Sequence, residues 1–245
     1  RADPDSVGVR FLDRAGLDIS EAAQRKIERQ FTREDFRRVP AEEIGDIGFP
    51  PRVLAHYTTA LGQTVDLDVV RSASFKIVVD YAYGSTSFTM PTVLGQLGAA
   101  VLAVNPYAST QGAIGFTHRD GASAASPLVT ASGAHLGAVL DPDGERLAVI
   151  DDEGHVLSDT ELLLAFVHLV APHIDGDRIA VPVNATGRVA DMIEGAAVRL
   201  VEAKTSPAAL MATAAEDGIG FAADTEGGFI LPGFMPAFDA AAALV

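Results

Sequence analysis

Beyond residue 75 the hydrophobic positions gather into short unbroken runs; before it they are sparse and spaced as on a helix. Phe75 to Tyr81 is rich in β-branched residues, the pattern of a strand buried on both faces. Ala99 to Asn105, His135 to Leu140 and Leu147 to Asp151 predict three further strands. Tyr83-Gly84-Ser85 turns the first strand into a helix that ends near Gly98. Ser126 to Ser132 predicts a short helix and Ser158 to Val170 a longer one, while residues 107–125, rich in Gly, Ala, Ser and Thr, read as a long loop. The pattern then recurs. Ile179–Val183, Val198–Val201 and Ile219–Ala223 predict strands, and Arg188–Glu194 and Pro207–Ala215 predict helices. Strands alternating with helices predict an α/β layer structure.

The recurrence is also textual. Gly98-Ala99-Ala100-Val101 reappears as Gly195-Ala196-Ala197-Val198, each after a helix and before a strand. Gly133 leads a strand into an acidic loop at Asp141, Gly218 leads one into an acidic loop at Asp224, and an apolar run follows each loop. The shared order of these marks predicts two related α/β domains that meet near residues 171–177. Residues 1–72 are different. Val7 to Leu12 predicts one strand, Asp18 to Arg38 a charge-rich helix that Asp18 or Ser20 can cap, and Arg52 to Val65 a second helix after Pro50-Pro51. One strand and two helices make a poor independent core, so this stretch reads as part of a domain.

Composition narrows the function. Hydrophobic residues make up 48% of the 245, which excludes wholesale disorder. Asp plus Glu is 33 against 18 Lys plus Arg, a net charge of −15, which argues against nucleic acid or an anionic membrane as partner. There is no cysteine, so disulfides, iron–sulfur clusters and thiol chemistry are excluded. No apolar run reaches the ~20 residues that span a bilayer, and a cytoplasmic location is expected. The chain opens on Arg1 and closes on Val245 within a helix-like alanine run, as a piece of a longer protein would.

The segment richest in chemistry is Val139-Leu140-Asp141-Pro142-Asp143-Gly144-Glu145-Arg146-Leu147. Three carboxylates at alternate positions of a Pro/Gly turn repel one another unless a cation neutralises them, and Mg2+ is a hard cation that takes oxygen ligands. Arg146 adds a planar donor fork suited to phosphate. A polar hairpin uses the same residue types, so composition alone leaves both readings open. Elsewhere, Ser85 and Ser87 stand at a helix start and read as caps. Lys204-Thr205-Ser206 follows a strand, as a cap or facing a cleft. His118, His135, His155, His168 and His173 form no metal pair at helical spacing and read as surface or satisfied structural histidines. Gly84 stands alone, with no dinucleotide-binding glycine pattern.

The acidic segment resembles the metal-binding loop, Asp-Gly-Asp-x-Asp-Arg, of the α-D-phosphohexomutases, the phosphoglucomutase and phosphomannomutase family. The likeness continues through the chain. Phe75-Lys76-Ile77-Val78-Val79-Asp80-Tyr81-Ala82-Tyr83-Gly84 is similar to the opening strand and turn of the family's second domain. Phe221-Ala222-Ala223-Asp224-Thr225-Glu226-Gly227-Gly228-Phe229 resembles the sugar-binding loop of its third, and Gly8-Val9-Arg10-Phe11 the first-domain strand that follows the phosphoserine loop. The resemblance implies an α/β fold of tandem phosphohexomutase-type domains, mixed sheets flanked by helices. It implies the tail of domain I at 1–72, domain II with the metal loop at 73–172 and domain III with the sugar-binding loop at 173–245, with the rest of domain I and domain IV missing. It implies a hexose phosphate as partner, Mg2+ as cofactor, Asp141, Asp143 and Glu145 as metal ligands, Arg146 on phosphate, and Asp224 and Glu226 on sugar hydroxyls. The chain most resembles an actinobacterial-type subgroup in which a mutase-like region follows a mannose-1-phosphate nucleotidyltransferase.

Four departures from the family pattern qualify these expectations. The phosphoserine motif, Thr-Ala-Ser-His-Asn-Pro, is absent, so no catalytic residue is assigned and mutase turnover by this chain is not expected. Pro142 replaces a glycine, Glu145 stands where Asp is usual, and Glu226 stands where Ser is usual. A non-catalytic sugar-phosphate-binding or scaffolding module attached to a nucleotidyltransferase is the alternative reading.

Overall fold

The computed structural model describes residues 9–14 and 16–245. Two four-stranded sheets organise it. In the first, β1 (Lys76–Asp80), β2 (Ala100–Val104), β3 (Leu136–Leu140) and β4 (Leu147–Ile150) lie in the order β2-β1-β3-β4. In the second, β5 (Arg178–Pro182), β6 (Arg199–Ala203), β7 (Ile219–Ala223) and β8 (Phe229–Ile230) lie in the order β6-β5-β7-β8. Each sheet has two parallel pairings and one antiparallel pairing at the edge made by its last strand. The second sheet thus repeats the first strand for strand. The glycine marks of the sequence share a conformation too: Gly98, Gly133, Gly195 and Gly218 have φ of 72°, 63°, 84° and 83°. Each stands just ahead of a strand, in the left-handed region that glycine enters without steric cost.

Ten α-helices are assigned among the described residues: α1 (Glu21–Thr32), α2 (Val53–Gly62), α3 (Leu67–Ala73), α4 (Met90–Gln96), α5 (Thr110–Gly115), α6 (His118–Ser132), α7 (Asp159–Val170), α8 (Arg188–Met192), α9 (Pro207–Ala214) and α10 (Ala240–Leu244). The period-2 alternation of the strands sorts their side chains between layers. Val78, Val139 and Ile150 face α6 and pack with Ala122, Ala125 and Val129. Ile77, Val79, Tyr81 and Leu140 point the other way, into one apolar layer that also receives Ile179, Val181, Phe221 and Phe229 from the second sheet. Leu162, Leu163 and Val167 of α7 and the alanines of α10 belong to this shared layer. The outer face of the second sheet, through Ala180, Ala222 and Ile230, packs on Leu210 and Met211 of α9.

Several expectations need correcting. Residues 107–125 hold α5 and the first half of α6 rather than a loop, capped by Ser109, which accepts from Gly112 N at 3.2 Å, and by Thr117, which accepts from Asp120 N at 3.1 Å. The face that α6 lays on the sheet begins with Gly121 and Ala122, and a Cβ on Gly121 would lie 2.9 Å from Val139 Cγ1. The close approach demands small residues, which look loop-like in the sequence. Helix α3, capped by Asp66, was not expected at all. Val7 and Gly8 lie outside the described residues, and the remainder of that run makes only an isolated bridge, Leu12 to Asp18. In α1, Ser20 is the cap, accepting from Ala23 N, and the helix buries none of its residues.

Phe229 is 1% exposed and stacks on Phe166 of α7, with ring centroids 3.9 Å apart and planes 15° from parallel. It therefore ties the second sheet to the shared layer. Phe229→Ala should cost about 3–5 kcal/mol in urea unfolding; a loss below about 1 kcal/mol would show that the layer does not join the two sheets.

Candidate functional site

The loop between β3 and β4 is folded onto its own aspartate. Asp141 Oδ1 accepts from Glu145 N at 2.7 Å and Arg146 N at 3.1 Å, while Asp141 N donates to Arg146 O at 3.1 Å. Aspartate favours such turns because its short carboxylate reaches backbone donors a few residues on. The loop between β7 and β8 repeats the device. Asp224 Oδ1 accepts from Glu226 N at 2.8 Å and Gly228 N at 2.7 Å, and Asp224 N donates to Gly228 O at 2.9 Å. The tip of the first loop rests on the turn after β1, where Ser85 N donates to Pro142 O at 3.1 Å.

The two loops meet. Arg146 and Gly228 form an antiparallel bridge, and Leu147 N donates to Gly227 O at 2.9 Å. The Arg146 guanidinium crosses the junction, with Nη2 2.8 Å from Glu226 Oε2 and 3.5 Å from Asp224 Oδ2. Arg146, Asp224 and Glu226 then line a cavity of about 250 Å3 with Asn184, Thr205 and Thr225. So the structure brings together the three residues assigned to phosphate and sugar. Thr205 faces this cavity, while its neighbour Ser206 caps α9 by accepting from Ala209 N.

The three carboxylates assigned to metal are not brought together. Asp141 commits Oδ1 to two backbone amides. Asp143 is exposed at the tip. Glu145 is taken by Arg10, whose Nη1 donates to Glu145 Oε1 while Nε and Nη2 hold both oxygens of Asp18 at 2.6 and 3.1 Å. Among the described residues no three His, Cys, Asp or Glu side chains lie together as a set that could hold a metal ion. Mg2+ demands a near-octahedral oxygen shell at about 2.0–2.1 Å. The donors of this loop, as arranged, do not fit it.

Glu145 and Arg10 border a second cavity, of about 320 Å3, together with Thr86 and Asp239. Tyr57 donates its hydroxyl to Asp239 at 2.8–2.9 Å. Burial raises both groups above their ordinary values, and the Asp239 carboxylate raises Tyr57 further.

Known proteins resemble this chain in sequence and in fold. Residues 55–154 match the family described as phosphoglucomutase/phosphomannomutase, alpha/beta/alpha domain II. That segment belongs to the phosphohexomutase domain II family. A phosphoglucosamine mutase of Dictyoglomus thermophilum is 26% identical over 240 residues, covering 95% of this chain and 51% of its own length. A phosphoglucomutase/phosphomannomutase of Thermococcus kodakarensis is 22% identical over 249 residues, covering 97% and 52%. The crystal structure of a phosphoglucomutase/phosphomannomutase family protein from Burkholderia thailandensis superposes with a TM-score of 0.76 at 19% identity, over 93% of this chain and 48% of that one. The chain spans about half the length of the curated relatives it matches, and the fold is that of the phosphohexomutase domains.

Within this phosphohexomutase-type pair of sheets one further group stands out. His118, at the start of α6, was read as surface or satisfied, yet its Nε2 is buried without a hydrogen-bond partner among the described residues. Burial lowers its pKa, against the opposing pull of the Asp141 carboxylate. No sequence signal marked it, because the helix that buries it was itself read as loop. His135, by contrast, is satisfied: its Nδ1 accepts from Lys76 N at 3.0 Å. Ser85 and Ser87 do not cap; Ser87 Oγ donates to Gly84 O instead.

Two outcomes follow from this geometry. Gly227 has φ 82°, and a Cβ there would collide with the Leu147 carbonyl oxygen. Gly227→Ala should cost at least about 1–2 kcal/mol in urea unfolding, whereas Gly45→Ala, which meets nothing within 4 Å, should change little. For His118, the folded pKa lies below the ordinary value of about 6.5, so the unfolded chain binds more protons between the two. Its contribution is therefore present above about pH 6.5 and lost as the pH falls through the folded value. The stability of the wild type relative to His118→Gln should drop between about pH 7 and about pH 5; a pH-independent difference would contradict the buried neutral ring.

Proposed function

We propose that the chain is the hexose-phosphate-binding centre of a phosphohexomutase-type protein, and that the cavity lined by Arg146, Asn184, Thr205, Asp224 and Glu226 is its sugar-phosphate subsite. One observation carries the reading: a guanidinium held at the junction of the two sheets and paired with two carboxylates, the three together lining a cavity of about 250 Å3. The guanidinium supplies the planar donors that phosphate oxygens match. Carboxylates are acceptors only, suited to sugar hydroxyls and to the ammonium of an amino sugar. Asp224, fixed by two backbone amides, stays as an acceptor, while a phosphate competes with the more exposed Glu226 for Arg146.

On this reading residues 1–72 are the tail of a first domain, 73–172 a second and 173–245 a third. The chain contains no Thr-Ala-Ser-His-Asn-Pro. Covalent phosphoryl transfer requires its nucleophile, so the chain alone binds hexose phosphate and does not isomerise it. A second reading, a non-catalytic sugar-phosphate-binding module attached to a mannose-1-phosphate nucleotidyltransferase, is favoured by the engagement of Glu145 with Arg10 and of Glu226 with Arg146. The two differ in whether the whole protein turns substrate over; both require the subsite.

Calorimetry with glucose 1-phosphate, mannose 1-phosphate and glucosamine 6-phosphate tests it, with inorganic phosphate and free glucose as references. At least one sugar phosphate should bind more tightly than either reference. Arg146→Ala should weaken it about tenfold or more, equivalent to about 1.4 kcal/mol, the lower end of a charge-assisted hydrogen bond. No heat from any sugar phosphate, or equal heats from the Arg146→Ala variant, would reject the subsite.

A further inference from the structure

We propose that the guanidinium of Arg10 takes the place of a divalent cation at the β3–β4 loop, so that this loop is neutralised from within the chain and keeps its form without metal. The argument starts from the charge problem. Asp141, Asp143 and Glu145 fall at alternate positions of one tight turn, and such crowding has to be relieved. Each carboxylate is relieved differently. Asp141 receives two backbone N–H groups, which delocalise its charge into the turn. Asp143 projects into solvent. Glu145 meets Arg10, and Arg10 is itself gripped through two nitrogens by Asp18.

That grip distinguishes a built contact from a chance one. Asp18 uses Nε and Nη2 of the guanidinium, which leaves Nη1 free to face Glu145. The planar fork of arginine serves two carboxylates at once, which an ammonium cannot do in the same geometry. Asp18 in turn is placed by the bridge that Leu12 makes with it, so the short segment from Arg10 to Asp18 closes on itself around the cation. Both carboxylates hold Arg10 more firmly protonated than usual, Asp18 first and Glu145 after it.

The same arrangement opposes a metal. A dication at the loop would have to displace Arg10 from Glu145 or sit beside its positive charge. Of the three carboxylates only Asp143 makes no ion pair or hydrogen bond with the described residues. Mg2+ dehydrates reluctantly and is poorly served by one carboxylate. Glu145 is the pivot, because its extra methylene compared with aspartate extends the carboxylate toward Arg10. Aspartate in its place would fall short of the guanidinium and stay over the turn.

The inference stands apart from whether hexose phosphate binds, since its probe is Mn2+ alone. Mn2+ affinity is measured by electron paramagnetic resonance and calorimetry, at constant ionic strength, for wild type, Arg10→Gln and Glu145→Asp, each checked for folding by circular dichroism. Wild type should bind Mn2+ only weakly. Arg10→Gln and Glu145→Asp should each gain about tenfold or more in affinity, and the melting temperature of wild type should be the same in MgCl2 and in ionic-strength-matched KCl. If Arg10→Gln fails to fold, Glu145→Asp alone decides. Equal Mn2+ affinity in wild type and the folded variants, whether strong or absent, would overturn the proposal, as would tighter binding by wild type.

Discussion

The bridge between Arg146 and Gly228 is the constraint on which the rest of the structure depends. It joins the edge of one sheet to the turn of the other through backbone, with Leu147 N donating to Gly227 O at 2.9 Å. A backbone hydrogen bond fixes direction as well as distance. Once it forms, the loops after β3 and β7 lie against one another, and the Arg146 side chain reaches Asp224 and Glu226 across the junction. The apolar layer beneath then has a set thickness, which α7 and α10 fill. α10 is tied to the first loop as well, since Ala240 N donates to Gly144 O at 2.9 Å. Sliding one sheet over the other would break these bonds and unstack Phe166 from Phe229.

Both loops also carry hydrogen bonds of their own. Each is closed on an aspartate that follows its strand and accepts two amides of its own turn, so the conformation that presents Arg146 to Gly228 is formed locally. The loops differ in what they do with the remaining charge. The β7–β8 loop points Glu226 at an arginine of the other repeat, and the β3–β4 loop points Glu145 at an arginine of the N-terminal segment. In a chain with 33 acidic and 18 basic residues, the cations that matter sit where carboxylates converge. The repeated strand order carries two acidic turns, and each turn has a glutamate paired with its own arginine.

The tandem architecture was legible in the sequence because its marks are conformational. A glycine ahead of a strand records a left-handed residue, and four of them in matching order record two copies of one path. β1, β3, β5 and β7 were legible because strands buried on both faces demand continuous apolar runs. The first half of helix α6 was not, because the physics that lets it lie close to the sheet selects Gly121 and Ala122, residues that also populate loops. Arg146, Asp224 and Glu226 were singled out through a resemblance, and the structure places them in one cavity. The metal trio shows the limit of local reading. Three carboxylates in a turn announce that a cation is needed and do not say which one. Arg10 lies 135 residues before Glu145, and nothing in the loop's own sequence points to it.

The two arginines also differ in how firmly their positions are held, which bears on how the N-terminal segment relates to the sheets. Arg146 is anchored by the backbone bridge whatever its side chain meets. The side chain of Arg10 is 49% exposed and that of Glu145 34% exposed. A pair of that kind contributes on the order of 0.2–1 kcal/mol and weakens as salt screens it. The segment from Val9 to Asp18 buries no residue among those described, and Val9, Phe11 and Leu12 remain exposed. Its attachment to the sheets therefore rests more on charge than on apolar area. The sheets hold their geometry through hydrogen bonds and a continuous core, while the N-terminal segment follows the ionic conditions, so the β3–β4 loop is where the two regimes meet.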